Sequence, residues 1–483
     1  MPKNETDDFN SPEFLESLKK YEDMKKGIVS SCYLDIDTIL DISEYYEVNM
    51  NSKAAGEVLA FGIQLHPDDI EIKKFKIQNL IIQNQLKEAE NVLNDIKSEN
   101  SDPEIQLMWA ALYLQKGERI KGLSQIEKVL NSLTNDDDLE MCVEQAGNML
   151  LGIQDAYRAY NILEKYYPKF PDNKVIRELY AEACYDKGNF YRAAQLYNKS
   201  LDEDPYDVDK WIFLARSYIF AEDYKKAHES LDFAAAIDEN VLEIDVTRAS
   251  CYYQQRIFDK ALEYYKKVYE KDPTNELAIM YASACCLNID KEAESANLIE
   301  QAIRVGGNMS PQFIDMRLQA AIIFEHMNNY AKALFYLNEA LENDETVSQA
   351  YILRGRIYLK TGKLIEAEKE LNMALKYADK KDEYYFNIAL AYYDAHLFPD
   401  AIGYFRLLPK GDFQDSSYAY MADCYLQSGQ SEKYFSYLQL ACRTNPESVK
   451  NVFGGFIPEG IAPDKFYEYV RQNWNGYNNN LFK

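Results

Sequence analysis

A small residue returns along this chain every 34 positions, and this interval constrains the fold more than any other feature of the sequence. The two longest runs are Ala159, Ala193, Ala227 and Ala261, and then Ala333, Ala367 and Ala401. A fixed period of this length is the signature of an architecture in which one structural unit is stacked many times against its own copies. We therefore expect a repeat protein rather than a set of unrelated globular domains.

Three further columns of residues, each at a fixed place in the repeat, recur with the same period as the small residue, as the copy around Ala227 illustrates. A second small residue, Ala215, lies twelve positions earlier, and the aromatic Tyr218 and the large apolar Leu231 keep fixed places beside the two. A proline often closes the copy, at Pro67, Pro171, Pro205, Pro273 and Pro446. Within each half of a copy, the apolar positions follow the i, i+3, i+4, i+7 spacing of a helix that is buried along one face.

These columns predict two antiparallel helices in every repeat, and hence an all-α fold. A small residue on each helix lets the two backbones approach, and the large residues fill the space on either side. Proline ends the second helix because it lacks an N–H and its ring clashes with the preceding turn. Glycine or asparagine between the helices, as at Gly188, Asn189 and Gly362, suits a tight turn.

The order of these columns resembles that of the tetratricopeptide-repeat family. The copy that begins near Val208 matches the family's pattern almost in full, at Trp211, Leu214, Ala215, Tyr218, Ala227, Leu231 and Ala234, although Glu239 stands where proline is usual. The resemblance implies a right-handed superhelical α-solenoid. About twelve helix-turn-helix repeats are expected, beginning near residues 36, 70, 103, 140, 174, 208, 242, 276, 314, 348, 382 and 415.

The chain divides around these repeats as follows. Repeats 1–8 are expected to occupy residues 36–313, and repeats 9–12 residues 314–448. Residues 1–10 are polar and are expected to be disordered, and residues 11–35 are expected to hold an N-terminal capping helix. Residues 449–483 lose the repeat and are expected to form a C-terminal cap helix and a tail, because the last repeat needs its outer face covered.

Two insertions break the register of the repeats. Four added residues fall near 306–311, which read Gly-Gly-Asn-Met-Ser-Pro, and three fall near 135–138, which read Asn-Asp-Asp-Asp. Residues of these types mark loops. Each insertion is either a joint at which the superhelix changes direction or a simple loop extension.

The formal net charge of −26 narrows the range of partners. It argues against nucleic acid, whose phosphates need Lys and Arg, and against an anionic membrane surface. The charge either serves solubility or favours basic partners, and both readings stay open. Acids near the start of several first helices either offset the helix dipole or border a groove for basic peptides, at Asp37, Glu71, Glu104, Asp209, Glu243, Asp315 and Glu383.

The cysteines and the first residues of the chain indicate the cellular compartment in which we expect the protein. Eight cysteines are scattered without a CxxC pair or a zinc-type spacing, as in proteins of reducing compartments. The first residues lack the basic and then apolar pattern of a signal peptide, and no apolar stretch is long enough to span a bilayer. We therefore expect a cytoplasmic protein.

The sequence contains no recognisable reactive centre. Its four histidines, His66, His228, His326 and His396, lie in four different repeats, and no nucleophile elbow, Walker loop or dinucleotide motif occurs. The adjacent Cys285 and Cys286 are either a redox switch or two helical positions that point to different sides, and we favour the second. We expect no enzyme, no metal, no cofactor and no small-molecule substrate.

In the tetratricopeptide-repeat family, the first helix of each repeat lines a concave groove in which partners bind. The resemblance places that groove on Lys74, Gln78, Glu178, Glu182, Ile212, Arg216, Val246, Ser250, Ile352, Arg356, Phe386 and Leu390. One subfamily grips a C-terminal carboxylate with a clamp of Lys and Asn residues. That clamp is absent here, because Gln78 and Met108 stand where the two Asn residues belong, so chaperone tails are disfavoured as partners.

The sequence thus predicts a non-enzymatic scaffold or adaptor that binds partner proteins or peptides, basic segments among them. The alternative is a co-chaperone or assembly factor that shields unfolded or basic segments. Apolar residues of the first helices, such as Ile212, Phe220 and Phe386, favour that alternative. A scaffold retains a specific, stoichiometric partner, whereas a co-chaperone suppresses the aggregation of its clients.

Overall fold

The computed structural model describes Phe9, residues 11–96 and residues 102–474. Over these residues the chain forms 27 α-helices and three short 3-10 turns, without any β-strand, so the all-α prediction is confirmed. Twelve helix pairs account for most of these helices, as the period predicts. They belong to two compact bodies, Met1–Glu239 and Asn240–Lys483, with six pairs in each. The expected disorder of residues 1–10 and of the tail falls almost wholly outside the described residues.

The N-terminal body begins with a single helix and continues with six helix pairs. The single helix is α1 (Pro12–Lys25), whose N-cap Ser11 accepts a hydrogen bond from the N–H of Phe14 at 3.1 Å. The pairs are α2 (Ile36–Val48) with α3 (Ser52–Leu65), α4 (Ile70–Ile82) with α5 (Leu86–Asp95), α6 (Pro103–Gln115) with α7 (Arg119–Ser132), α8 (Asp136–Gly152) with α9 (Ala156–Tyr166), α10 (Lys174–Asp186) with α11 (Phe190–Glu203), and α12 (Val208–Phe220) with α13 (Tyr224–Ile237).

The C-terminal body contains six more pairs, and two short helices follow them. The pairs are α14 (Leu242–Gln254) with α15 (Phe258–Lys271), α16 (Glu276–Asn288) with α17 (Glu292–Gly306), α18 (Phe313–His326) with α19 (Tyr330–Asn343), α20 (Ser348–Lys360) with α21 (Leu364–Tyr377), α22 (Lys381–Asp394) with α23 (Phe398–Phe405), and α24 (Asp412–Gln427) with α25 (Ser431–Thr444). The short helices are α26 (Pro446–Phe453) and α27 (Phe466–Asn473).

The two helices of a pair approach closely at their small residues. Ser283 and Ser295 hold the two small places of one repeat, and each hydroxyl donates to the backbone carbonyl oxygen of the other residue, at 2.7 and 2.8 Å. Gly355 holds the first small place of another repeat, where an added Cβ would come within 2.6 Å of the Leu371 side chain. The spacing of the helices therefore depends on the absence of bulk at these places.

A second contact ties the start of a first helix to the end of its partner. In one pair Arg177, fully buried, donates through Nη1 and Nη2 to the carboxylate of Glu203, with 2.8 Å between Nη2 and Oε2. In another pair the equivalent residues are Tyr351 and Tyr377, whose rings stack with centroids 5.9 Å apart. The same place in the repeat thus closes the pair by charge or by aromatic packing.

The turn inside each pair holds one residue in the left-handed region of φ. Glycine takes this place in four pairs and other residues take it in eight, at Met50, Asn84, Gln154, Glu222, Arg256, Asp290, Asn328 and His396. In one such turn the N–H groups of Glu222 and Asp223 donate to the carbonyls of Ile219 and Tyr218, at 3.0 and 2.9 Å. This Schellman arrangement satisfies carbonyls at the end of the first helix.

For the insertion near 135–138, the loop-extension reading is wrong, and the reading as a joint stays a prediction. Asn135 is an N-cap whose side chain accepts the N–H of Asp137 at 3.4 Å, and α8 begins at Asp136 rather than near residue 140. Three consecutive acids in the first turn are favoured by the positive end of the helix dipole. The added residues therefore lengthen α8 by nearly one turn instead of separating two repeats.

The insertion near 306–311 is a loop, as the sequence predicts. Gly307 has a φ of 62°, and a short 3-10 turn over Gly307–Met309 leads to Ser310, whose hydroxyl accepts the N–H of Gln312 at 3.0 Å. At the C-terminal end of the repeats, Phe453, Phe466 and Val470 are buried in the same core as the last helix pair. The final helices therefore cover the apolar face that the last repeat would otherwise expose.

The left-handed turns predict opposite effects for two substitutions. A residue with a side chain costs about 1–2 kcal/mol in this conformation, and glycine adopts it freely. Glu222→Gly should therefore raise the free energy of unfolding by about 1 kcal/mol. Gly188→Ala should lower it by a similar amount, because φ at Gly188 is 86°. Chemical denaturation measures both. If both substitutions changed the free energy of unfolding in the same direction, the left-handed turn conformation would not be a source of strain.

The small-residue packing predicts a strong contrast between two residues of α21. Leu371 is 0% exposed against Gly355, and Ile365 is 83% exposed. Leu371→Ala should lower the free energy of unfolding by roughly 2–5 kcal/mol, because it leaves a cavity. Ile365→Ala is the matched control and should change it by less than about 0.5 kcal/mol. A similar loss in the two variants, measured by denaturation, would show that the pair does not depend on this contact.

Candidate functional site

First helices of consecutive repeats form a cleft in the N-terminal body. Its volume is about 570 Å³, and all but two of its lining residues lie on α8, α10 and α12. Five acidic residues line it, Glu178, Glu182, Asp186, Asp207 and Asp209, together with the two cations Lys210 and Arg216. Three of the predicted groove residues, Glu178, Glu182 and Arg216, are therefore brought together in one cleft.

Lys210 holds one side of this cleft in place. Its Nζ lies 2.9 Å from Oε1 of Glu178 on the preceding first helix and 2.7 Å from Oδ2 of Asp207. Asp207 is also the N-cap of α12, since its Oδ1 accepts the N–H of Lys210 at 3.0 Å. The ammonium thus joins two neighbouring repeats and neutralises two of the five carboxylates.

Glu182 and Asp186 differ from these paired acids. They lie one turn apart on α10, and neither takes part in an ion pair within the described residues. Burial against the walls of the cleft raises the pKa of Glu182, and the charge of Asp186 raises it further. Burial also raises the pKa of Asp186. Two carboxylates that form no ion pair within the described residues therefore face the same cleft.

Aromatic rings form the apolar part of the same cleft. Phe213 stacks on Tyr197 with centroids 5.7 Å apart, yet it remains 43% exposed. Tyr185 lines the cleft beside Asp186 and packs edge-on against Phe220, with 5.7 Å between the ring centroids. The cleft therefore presents carboxylates and apolar rings side by side, which is a surface for a cation that carries an apolar stem.

The C-terminal body has its own cleft on first helices. It measures about 330 Å³ and is lined only by residues of α18, α20 and α22, among them Ile352, Arg356 and Leu390. Another cleft of the C-terminal body, of about 300 Å³, shares Ile322 and Gln349 with the first one and extends along first helices toward α14. The lining alternates aliphatic side chains with carboxamides and acids.

The one cation that lines the 330 Å³ cleft, Arg356, is paired within the protein. Glu325 is buried, and its carboxylate accepts from Nε of Arg356 at 2.8 and 3.0 Å and pairs with Nζ of Lys360 at 2.9 Å. Burial raises the pKa of Asp394, which lies on the far side of the cleft, although Arg356 and Lys360 oppose that rise. Arg356 is thus chiefly a link between repeats, and it offers a partner only part of its surface.

The predicted groove residues fall into two columns that the structure treats differently. Residues at the fifth place of a repeat, counted from its first residue, lie between neighbouring first helices and are partly or wholly buried, at Lys74, Glu178, Ile212, Val246, Ile352 and Phe386. Residues at the ninth place are more accessible, at Gln78, Glu182, Arg216, Ser250, Arg356 and Leu390. The ninth place is therefore the more suitable one for contacts with a partner.

Two fifth-place predictions need correction, whereas Ile352, although mostly buried, lines the 330 Å³ cleft. Ile212 is 2% exposed and belongs to the core. Lys74 is 7% exposed, and its ammonium lies 3.1, 3.0 and 2.6 Å from carboxylate oxygens of Glu71, Asp102 and Glu104. The fifth place faces the next repeat, so side chains at this place pack against that repeat or form ion pairs with it.

The remaining predictions lie elsewhere. Gln78 is exposed, and Val246 and Ser250 are half-buried on α14. Phe386 is half-buried in a cluster of rings, 5.6 Å from Phe413 and 6.0 Å from Tyr420 between centroids. The structure does not bring these four residues into either cleft.

Several cleft residues were not predicted from the sequence. Asp186 lies one turn beyond Glu182 on the same face, and Lys210, Phe213 and Tyr185 line the cleft from places beside the predicted ones. The helical period could have identified Asp186, since a residue four positions after an accessible one shares its face. The role of Lys210 depends on a contact with the preceding repeat, which no pattern within one repeat reveals.

The thiols and histidines are separate from both clefts. Cys285 and Cys286 are both fully buried, and burial raises their pKa values to about 12 and about 11. A thiol held protonated in this way is a poor nucleophile. Among the described residues, no group of three or more His, Cys, Asp or Glu side chains is arranged to hold a metal ion. Within the described residues, every helix is too short or too polar to cross a membrane.

Comparison with known proteins points to one family. Three segments match family models described as tetratricopeptide repeat, over residues 152–208, 246–275 and 326–390. The TPR repeat-containing protein YpiA of Bacillus subtilis is 22% identical over 360 residues, which are 73% of this chain and 82% of that protein.

Two solved structures align over much of their own length. A tetratricopeptide repeat protein from Parabacteroides merdae aligns with a TM-score of 0.43 at 13% identity, covering 60% of this chain and 99% of that one. The human IFIT1 dimer with PPP-AAAA aligns with a TM-score of 0.42 at 17% identity, covering 86% of this chain and 96% of that one.

The two unpaired carboxylates predict a gain in stability when they are neutralised. A raised pKa means that the folded state binds the proton more tightly than the unfolded state does, so the ionised form disfavours folding at neutral pH. Glu182→Gln combined with Asp186→Asn should raise the free energy of unfolding at pH 7 by a few tenths of a kcal/mol for such accessible groups, which a higher thermal midpoint reports. The gain should vanish as the pH falls through the raised pKa values, where the native carboxyls become neutral.

Glu127→Gln combined with Glu229→Gln is the control for this prediction. These two glutamates are exposed on second helices of the same body, and the change in net charge is identical. A similar gain in the control would assign the effect to net charge rather than to the cleft.

Proposed function

Because this chain belongs to the tetratricopeptide-repeat family, we propose that it is a non-enzymatic scaffold that docks polypeptide segments of other proteins on the faces of its first helices. Proteins of this family hold other proteins, and the fold provides the surface for that task. The observation that carries the proposal is the placement of the clefts. The three clefts described above are lined almost entirely by first helices, and the second helices contribute one residue to them, Tyr197. A further cleft of the C-terminal body, of about 430 Å³, is lined instead by the second helix α25 and by the C-terminal segment that holds α27.

The chemistry of the clefts supports polypeptide as the ligand. Both clefts mix aliphatic or aromatic surface with carboxylates and carboxamides, and the cleft of the N-terminal body is large enough for several side chains. Nucleic acid is not part of the proposal, since carboxylates line both clefts and the net charge of −26 repels phosphates. No residue of either cleft is placed in a catalytic role.

The co-chaperone alternative keeps one supporting observation. Phe220 is exposed beside the N-terminal cleft, but Ile212 is buried and Phe386 is half-buried among other rings. The accessible apolar surface of the first helices is thus smaller than the sequence suggested. A folding client would need a broad apolar surface, so the scaffold is the better proposal.

Site-specific photo-crosslinking tests the proposal, because it compares the two faces of the repeats directly. A benzoylphenylalanine in place of Phe213 or Leu390 reports on the clefts, and the same residue in place of Phe335 or Ile365 reports on second helices. Phe213 and Phe335 are matched in size and are 43% and 55% exposed. We expect one defined partner band from the cleft positions in cells and none from the control positions.

Equal crosslinking from both faces would contradict the proposal, since it would place contacts without regard to the clefts. Absence of any partner band at Phe213 and at Leu390 would also contradict it. Suppression of the aggregation of unrelated clients, with no defined band, would favour the co-chaperone.

A further inference from the structure

Two acidic residues near the C-terminal end of α10 are energetically unfavourable at that position. Glu182 and Asp186 lie in the last two turns of a helix whose last turn contains no basic residue. The carbonyl end of a helix carries partial negative charge, which disfavours anions there. The only cations in the cleft are Lys210, which is committed to Glu178 and Asp207, and Arg216, which lies over the ring of Phe213 at 5.7 Å. Lys187, the C-cap of α10, lies instead over the ring of Tyr160. Neither acid therefore forms an ion pair within the described residues, at a helix end where a cation is favourable.

We propose that this cleft receives a Lys or Arg side chain of an extended basic segment in the partner. The cation lies between the carboxylates of Glu182 and Asp186, and its methylene stem packs against Phe213 and Tyr185. The inference rests on the proposed function and adds the chemical class of the segment that the N-terminal body recognises. It makes no use of the cleft in the C-terminal body.

Charge complementarity selects this occupant over the others. The cleft has five carboxylates against two cations, so an acidic segment would be repelled. A purely apolar segment would bury two carboxylates without a partner, which costs more than its contacts return. A metal ion needs a compact set of ligands, and no such set exists among the described residues. A cationic side chain satisfies the acids and the rings together.

The strength of the contact follows from its exposure. Each ion pair at an accessible site changes affinity by only a few-fold. Two pairs therefore correspond to about a tenfold change in affinity. Loss of the aromatic wall should weaken binding as well, because the methylene stem would lose its apolar contact.

Fluorescence anisotropy with the full chain and defined probes tests the inference. The first probe is a fluorescein-labelled peptide of alternating Lys and Ala, about 12 residues long, which spans roughly 40 Å when extended. The second probe has Gln in place of every Lys. Wild-type protein should bind the Lys probe about tenfold more tightly than the Gln probe, since only the Lys probe supplies cations.

Variants then locate the binding. Glu182→Gln combined with Asp186→Asn should weaken the Lys probe about tenfold and leave the Gln probe unchanged. Phe213→Ala should also weaken binding of the Lys probe, and it leaves the net charge of the protein unchanged. Glu127→Gln combined with Glu229→Gln makes the same change in net charge on second helices and should leave both probes unchanged.

Two results would overturn the inference. Equal weakening in the second-helix control would show attraction to the net charge of the chain rather than to the cleft. Equal affinity for the two probes, or full binding by the Glu182/Asp186 variant, would show that the acids do not select a cation. In both cases, a defined crosslinked partner at Phe213 would leave the scaffold proposal standing, so the two failures are distinguishable.

Discussion

The close approach of two helices at paired small residues is the constraint on which the other features of this fold depend. Where Ser283 meets Ser295, each hydroxyl reaches the other helix's carbonyl, and where Gly355 meets Leu371, there is no space for a methyl group. Once the pair is fixed at this distance, the next pair must stack on it, because one pair cannot bury its own apolar face. The small column therefore explains the constant period of the repeats.

Stacking also decides which surfaces remain for a partner. Residues at the fifth place of first helices are used in contacts within and between repeats, as Lys74 and Ile212 show. The ninth place and its neighbours one turn on remain accessible at the clefts. Repeats of one backbone thus present different chemistry, acidic and aromatic near Glu182 and aliphatic with carboxamides near Leu390. The fold supplies the position of the surface, and the individual repeat supplies its selectivity.

The repeat, the twelve helix pairs and the capping elements could be predicted from the sequence, because they depend on patterns within one repeat. The accessible part of the groove could not be predicted fully, since burial of Ile212 or Lys74 depends on the neighbouring repeat. The segment Asn135–Asp138 was misjudged for a related reason. Asn and Asp are typical both of loops and of helix starts, and only the cap contact distinguishes the two.

Hydrogen–deuterium exchange of the full chain, with and without its partner, tests the central claim most directly. If the partner docks on the first-helix faces, it should slow exchange in α10 and α12 or in α20 and α22, and exchange in α11, α13, α19 and α21 should stay unchanged. Slower exchange confined to second helices would contradict the account, because it would place the partner on the opposite side of every pair.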